Sequence, residues 1–127
     1  MSPSTSLKTL ARIIQEFRVI EPDLPVSYAA IVIFVAQHRA RHDEDPTVKD
    51  ISDHLGMVRP SVSRATLALS GRRLGGSKAT EERPEGGRKA LGLLERYADD
   101  IDLRMMRCTL SDKGRGLINR LTDHLEG

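Results

Sequence analysis

The stretch RPSVSR, Arg59 to Arg64, sets two hydroxyls between two guanidinium groups. On a helix, Pro60, Arg64 and Leu67 share one face, with Ser61, Ser63 and Ala68 on its flanks. Val58, Val62, Ala65 and Leu69 form a narrow apolar stripe on the other side. A helix whose open face is small, hydroxylic and basic suits a polyanionic groove, because serine and arginine reach base edges and phosphate oxygens. A solvated surface helix carries a similar face, so the neighbouring elements have to decide. Covalent chemistry is the weaker reading of these serines. No histidine lies nearby in sequence, and no G-x-S-x-G setting surrounds them.

A second charged group lies in GLLERYADDIDLRMMRCTLSDKGR, residues 92–115. Asp99, Asp100 and Asp102 form an acidic turn between two strand-length runs, 93–97 and 104–110, which predicts a β-hairpin. Arg104 stands just past its tip. Ser111 can cap a following helix, with Asp112 in the first turn where negative charge is favoured. Cys108 falls in the second strand. One cysteine makes no internal disulfide and suits a reducing compartment, and a small structural role is expected of it. His38 and His42, four apart beside Asp43, Glu44 and Asp45, have a spacing that could hold a metal. The segment lies at a helix end and reads as solvated, so no metal site is expected. The Gly-Gly pairs lack the strand and the Lys-Ser/Thr ending of a phosphate loop. Neither a cofactor nor an enzymatic activity is expected.

The chain has 127 residues, enough for one core, or a core with an arm. Aromatic content is 3% with no Trp, which weighs against carbohydrate binding and against stacking of single-stranded nucleic acid. The longest apolar run, AAIVIFVA, is too short to span a bilayer, and the first ten residues lack a secretory pattern. No membrane partner is expected, and the expected location is cytoplasmic. The net charge of +2 conceals its distribution. Residues 59–96 carry nine Lys/Arg against four Asp/Glu, a balance of +5, while the preceding segment balances to −2 and the following one to −1. A basic middle between mildly acidic ends fits a phosphate footprint.

The elements that must position these groups follow from periodicity and punctuation. Leu7, Leu10, Ile13, Ile14, Phe17 and Ile20 predict an amphipathic helix from near Thr5 or Ser6, broken by EPDLP. A second helix, apolar on most faces and so buried, is expected over 26–39. Thr47 and Asp50 resemble a capping box for a short helix over 48–55 that stops at Gly56. The RPSVSR helix begins almost at once, with Pro60 in its first turn. Two short helices joined by three or four residues read as helix-turn-helix. Residues 71–91, with two Gly-Gly pairs and one Pro, read as a flexible basic insertion. A last helix is expected over 112–125, with Leu117, Ile118, Leu121 and Leu125 on one side. The fold class is therefore mostly α with a small β-hairpin. Its parts are N-terminal helices over 1–40, helix-turn-helix over 46–70, insertion over 71–91, hairpin over 92–110 and C-terminal helix over 111–127.

A hairpin placed after a helix-turn-helix is a wing, whose tip can enter the minor groove. In this order and spacing the sequence resembles the winged-helix regulators of the multiple antibiotic resistance regulator (MarR) family. The resemblance rests on Gly92-Leu93-Leu94-Glu95-Arg96, Asp102-Leu103-Arg104 and Leu110-Ser111-Asp112-Lys113-Gly114, on the TVKDISDHLGMVRPSVSRATLAL stretch with its Val62-Ser63-Arg64 core, and on LPVSYAAIVIFVA before it. It covers most of 24–70 and 92–121. It implies a homodimer that binds palindromic double-stranded DNA and regulates transcription. The DNA contacts it implies are Ser61, Ser63 and Arg64 on the recognition helix and Arg104 on the wing. Arg59, Pro60, Leu67, Arg72 and Arg73 join them as expected contacts. Asp102 and Arg96 are expected to steady the wing. Leu7, Leu10, Ile14, Phe17, Leu117, Leu121 and Leu125 are expected to form the dimer face. The resemblance also implies a small aromatic ligand in a cleft that Phe17, Tyr28 and Phe34 could line, although core packing is the expectation for these rings.

Three features depart from that pattern. The insertion adds Arg72, Arg73, Lys78, Arg83, Arg88 and Lys89 between recognition helix and wing, where they are expected to touch DNA backbone or a partner protein, or to serve as a spacer. The family's longer C-terminal helical region is not expected beyond Gly127, so the first and last helices are expected to build the dimer. Val58 stands where a capping Ser is usual. The runner-up reading is a winged-helix protein-interaction or replication adaptor with weak or no specific DNA binding.

Overall fold

The computed structural model describes residues 2–73 and 90–126. Among them the order is α1 (Pro3–Ile20), α2 (Val26–His42), α3 (Val48–Leu55), α4 (Arg59–Leu69), β1 (Ser70–Arg73), β2 (Leu94–Ala98), β3 (Met106–Leu110) and α5 (Asp112–Glu126). Helix boundaries follow their caps. The Ser2 hydroxyl accepts from the Thr5 amide at 3.2 Å and Pro3 occupies the first turn, so α1 starts earlier than its apolar periodicity shows. Thr47 and Asp50 form the capping box of α3, each side chain accepting the other's backbone N–H at 3.0 Å. Gly56 ends α3 with φ +68°. Helix α2 continues to His42, past the expected 39, and stops where Asp43 turns left-handed at φ +53°. Asp is among the few non-glycine residues that tolerate that region.

The core is organised around α2. Ile31, Val32, Phe34 and Val35 are buried, and every other element except β1 adds to them: Phe17, Ile51, Val62, Ala65, Leu69, Leu94, Cys108, Leu117 and Leu121, with Leu93 from the lead-in to β2. This corrects part of the expected dimer face. Phe17, Leu117 and Leu121 are consumed in the chain's own core, because α1 packs on α5 and α5 packs on α2. Leu7, Leu10, Ile14 and Leu125 remain exposed. Two residues of α4 also differ from their expected faces. Val58 is the exposed N-cap, outside the stripe, and Ala68 turns inward. Outside the core, Glu16 of α1 accepts from Arg120 Nε at 3.0 Å and bonds His124 Nε2 at 2.7 Å on α5. The His124 hydrogen bond above all holds the Glu16 carboxyl below its usual range; burial pushes the other way, and the Arg120 hydrogen bond adds to the lowering.

The sheet has order β1-β2-β3. Strands β2 and β3 are antiparallel, from Leu94 opposite Leu110 to Ala98 opposite Met106. Strand β1 runs parallel to β2, with Ser70 beside Leu94 and Arg73 beside Arg96. The reading of 71–91 as loop is therefore corrected at its start. A short polar strand against a free sheet edge carries no apolar alternation by which it could be recognised. The remainder of that insertion, 74–89, lies outside the described residues. Beyond β3, the α2–α3 connection adds a bridge from Thr47 to Arg107, and Cys108 N donates to Pro46 O at 2.9 Å.

Candidate nucleic-acid interface

Helix α4 is held by one face and open on the other. Val62, Ala65, Thr66, Ala68 and Leu69 are buried. The buried polar groups are satisfied locally: Thr66 Oγ1 donates to Val62 O at 2.9 Å and Ser70 Oγ donates to Thr66 O at 2.6 Å. Arg59, Pro60, Arg64 and Leu67 are exposed, and Ser61 and Ser63 are half-buried beside them. Helix α3 meets α4 through a tight joint in which Gly56 N and Met57 N both donate to Ser52 O, at 3.0 and 3.2 Å, while Ser52 Oγ donates to Met57 O. The N-terminus of α4 has no side-chain cap, as expected from Val58.

The far end of α4 is tied to the hairpin. Leu91 N donates to Ala68 O at 2.9 Å and Leu93 N to Leu69 O at 2.7 Å. The helix and the base of the wing thus share backbone hydrogen bonds, and the two ends of the insertion are closed against each other. Beyond β3, Ser111 locks α5 to the same place. Its N–H donates to Leu93 O at 3.0 Å, its hydroxyl donates to Gly92 O at 2.5 Å, and that hydroxyl accepts from Gly114 N at 3.0 Å.

Asp99 organises the wing tip. Its Oδ2 accepts from Ile101 N at 3.1 Å and Asp102 N at 2.9 Å, and its Oδ1 accepts from Arg107 Nε at 2.6 Å. The Arg107 hydrogen bond above all holds the Asp99 carboxyl below its usual range. Arg107 also donates to Asp45 O, and Tyr97 donates its hydroxyl to the buried Asp45 carboxylate, with burial pushing the Tyr97 phenol up to about 12. Asp102 accepts from Arg104 N and Nε, both at 3.1 Å, and this pairing lowers its pKa. Arg104 is 91% exposed. The sequence reading named Asp102 and missed Asp99–Arg107, the more enclosed pair of the two. Only the strand register brings residues eight apart together. Arg96, also named, sits half-buried in β2 opposite Cys108 and beside Arg73 of β1. Burial pushes the Cys108 thiol up to about 11. The backbone of Arg72 and Arg73 lies in β1.

The rings of Phe17, Phe34 and Tyr28 go to the core, as expected of them: Phe17 and Phe34 are buried and Tyr28 packs against it. A cavity of about 380 Å³ lies between α2 and α3, lined by Phe34, His38, His42, Asp50 and His54 among others. Phe34 stacks on His54 at 4.4 Å between ring centroids, and the His38 and His42 rings are 4.5 Å apart. Among the described residues no group of three or more His, Cys, Asp or Glu is placed to hold a metal ion.

No protein-family model matches the sequence, and no curated protein matches it by sequence. Solved structures do match. S. aureus MepR in complex with DNA superposes with a TM-score of 0.65 at 18% identity, covering 95% of this chain and 78% of that one. BldR from Sulfolobus solfataricus gives 0.52 at 14% identity over 99% of this chain and 81% of its own. BpsR of Bordetella bronchiseptica gives 0.51 at 16% identity over 99% and 74%. The chain shares the winged-helix fold of these MarR-family structures. In this winged helix α3 and α4 are the helix-turn-helix and β2–β3 the wing. Identities this low establish likeness of fold. Among the described residues no helix is long and apolar enough to cross a membrane.

Proposed function

We propose that the chain is a sequence-specific double-stranded DNA-binding transcription regulator, acting in the cytoplasm as a homodimeric repressor at a palindromic operator. It is not an enzyme. Helix α4 reads a major groove through Arg59, Pro60, Ser61, Ser63, Arg64 and Leu67, Arg72 and Arg73 follow the backbone, and Arg104 enters the adjacent minor groove. The observation that carries this reading is α4 itself: one face pinned in the core, the other small, hydroxylic and basic, with its end bonded to the base of the wing. The solved MepR–DNA complex gives the same fold a DNA partner. Leu7, Leu10, Ile14 and Leu125, exposed on α1 and α5, supply the apolar surface for a second copy. DNA binding by BpsR is regulated by 6-hydroxynicotinic acid, which makes aromatic acids the first effector class to test.

Selection from a random duplex pool tests the reading. The expected result is a palindrome with half-sites about 10 bp apart. On that site Arg64→Ala should cost about 1–3 kcal/mol and relax specificity, while Arg104→Ala should weaken binding with modest loss of preference. No enrichment, or wild-type binding by both variants, would sink it.

A further inference from the structure

The wing tip displays two aliphatic side chains. Ile101 is 96% exposed and Leu103 is 74% exposed, on either side of Asp102 and immediately before Arg104. Scattered exposed aliphatics are ordinary. These differ because the turn that carries them is held rigidly. Asp99 accepts both Ile101 N and Asp102 N, Asp99 N donates to Met105 O at 2.8 Å, and Met105 N donates to Asp102 O at 2.9 Å. The hairpin beneath is braced through Arg107 and Tyr97 to Asp45 in the α2–α3 connection. A tip fixed in this way cannot fold its aliphatics back onto the strands. The Asp102 charge, repulsive toward phosphate, is already balanced by Arg104.

We infer that Ile101 and Leu103 form an apolar wedge that enters the DNA minor groove beside Arg104 and partly unstacks a base step there. This inference rests on the proposed DNA-binding function. Arginine is drawn by the negative potential of a narrow minor groove, and aliphatic side chains lodged between base steps kink the duplex. Unstacking costs least at pyrimidine–purine steps, so the wedge adds sequence preference where no base edge is hydrogen-bonded. It thereby divides the reading of the site: α4 by contact, the wing tip by deformability.

The test uses the full chain and a duplex recovered by the selection above. Ile101→Ala/Leu103→Ala is compared with wild type by fluorescence anisotropy across a salt series, and by energy transfer between the duplex ends. Both residues are solvent-exposed, so the substitutions leave no core cavity, and circular dichroism confirms the fold. The expected outcome is roughly tenfold weaker binding and a smaller bend, from lost apolar contact. The slope of affinity against salt stays unchanged, since no charge is removed. Repeating the selection with the variant should lose the preference for TA or CA/TG steps at the wing position, and Ile101→Leu should retain wild-type bending. Unchanged affinity and bend overturn the wedge and leave the regulator standing, as would hold for a tip that instead meets a protein partner. A changed salt slope also overturns it, because these residues would then act by placing Arg104. A wild type that enriches no duplex overturns both readings.

Discussion

Val58 and Gly114 illustrate how one side chain decides the fit of a helix end. Val58 has N-cap geometry, φ −70° and ψ 146°, but no side-chain acceptor for the first amides of α4. It is 67% exposed, so a hydroxyl there meets no packing penalty. Val58→Ser is expected to raise stability by about 1 kcal/mol, read as a shift in the urea midpoint with unchanged m-value. Gly114 is constrained by space. A Cβ at that position would overlap the Leu93 carbonyl, so the glycine four residues after Leu110 allows α5 to seat against the lead-in to β2. The stretch from Leu110 to Gly114 thus has a local cause: Ser111 caps the helix, and Gly114 lets the cap close.

At the scale of the element, the wing depends on one enclosed ion pair. Asp99 and Arg107 side chains are 15% and 22% exposed, against 36% and 91% for Asp102 and Arg104 at the tip. Exposed pairs contribute little, whereas the enclosed one also satisfies the turn's amides. The folded pKa of Asp99 lies below its unfolded value, mainly through Arg107. Its stabilisation is therefore fully present above the unfolded value, near 4, and is lost as pH falls through the folded value. Asp99→Asn should lower the melting temperature at neutral pH, and its gap from wild type should narrow as pH drops from 7 to 3. A gap that stays constant would show that the Asp99 charge contributes nothing.

For the whole molecule, the division of apolar residues between core and surface decides which of them are left for the proposed dimer. Leu117 is fully buried and Leu10 half-exposed, although both sit on helical stripes. Leu10→Glu is expected to yield a monomer of unchanged helicity by sedimentation, while Leu117→Ala should destabilise each chain by about 2–5 kcal/mol. If the Leu10 variant sediments like wild type, α1 is not the dimer face. The paired insertion ends also belong to this scale. Leu91 and Leu93 bond back to the end of α4, which ties the base of the wing directly to that helix.

Caps, periodicity and turn chemistry act within a few residues, and for that reason the helices, the Thr47–Asp50 box, the Gly56 stop and the hairpin were legible in the sequence alone. So was the composition of the open face of α4, whose inner stripe shares one helical period. Pairings between distant segments were not. Strand β1 has no apolar alternation, Asp99–Arg107 requires the β2–β3 register, and Glu16 with Arg120 and His124 requires α1 to lie on α5. Which apolar residues of α1 and α5 become core and which stay exposed depends on the rotation of the two helices against each other and of α5 against α2. Periodicity marks an apolar stripe but carries no information about what covers it, and only tertiary packing decides that.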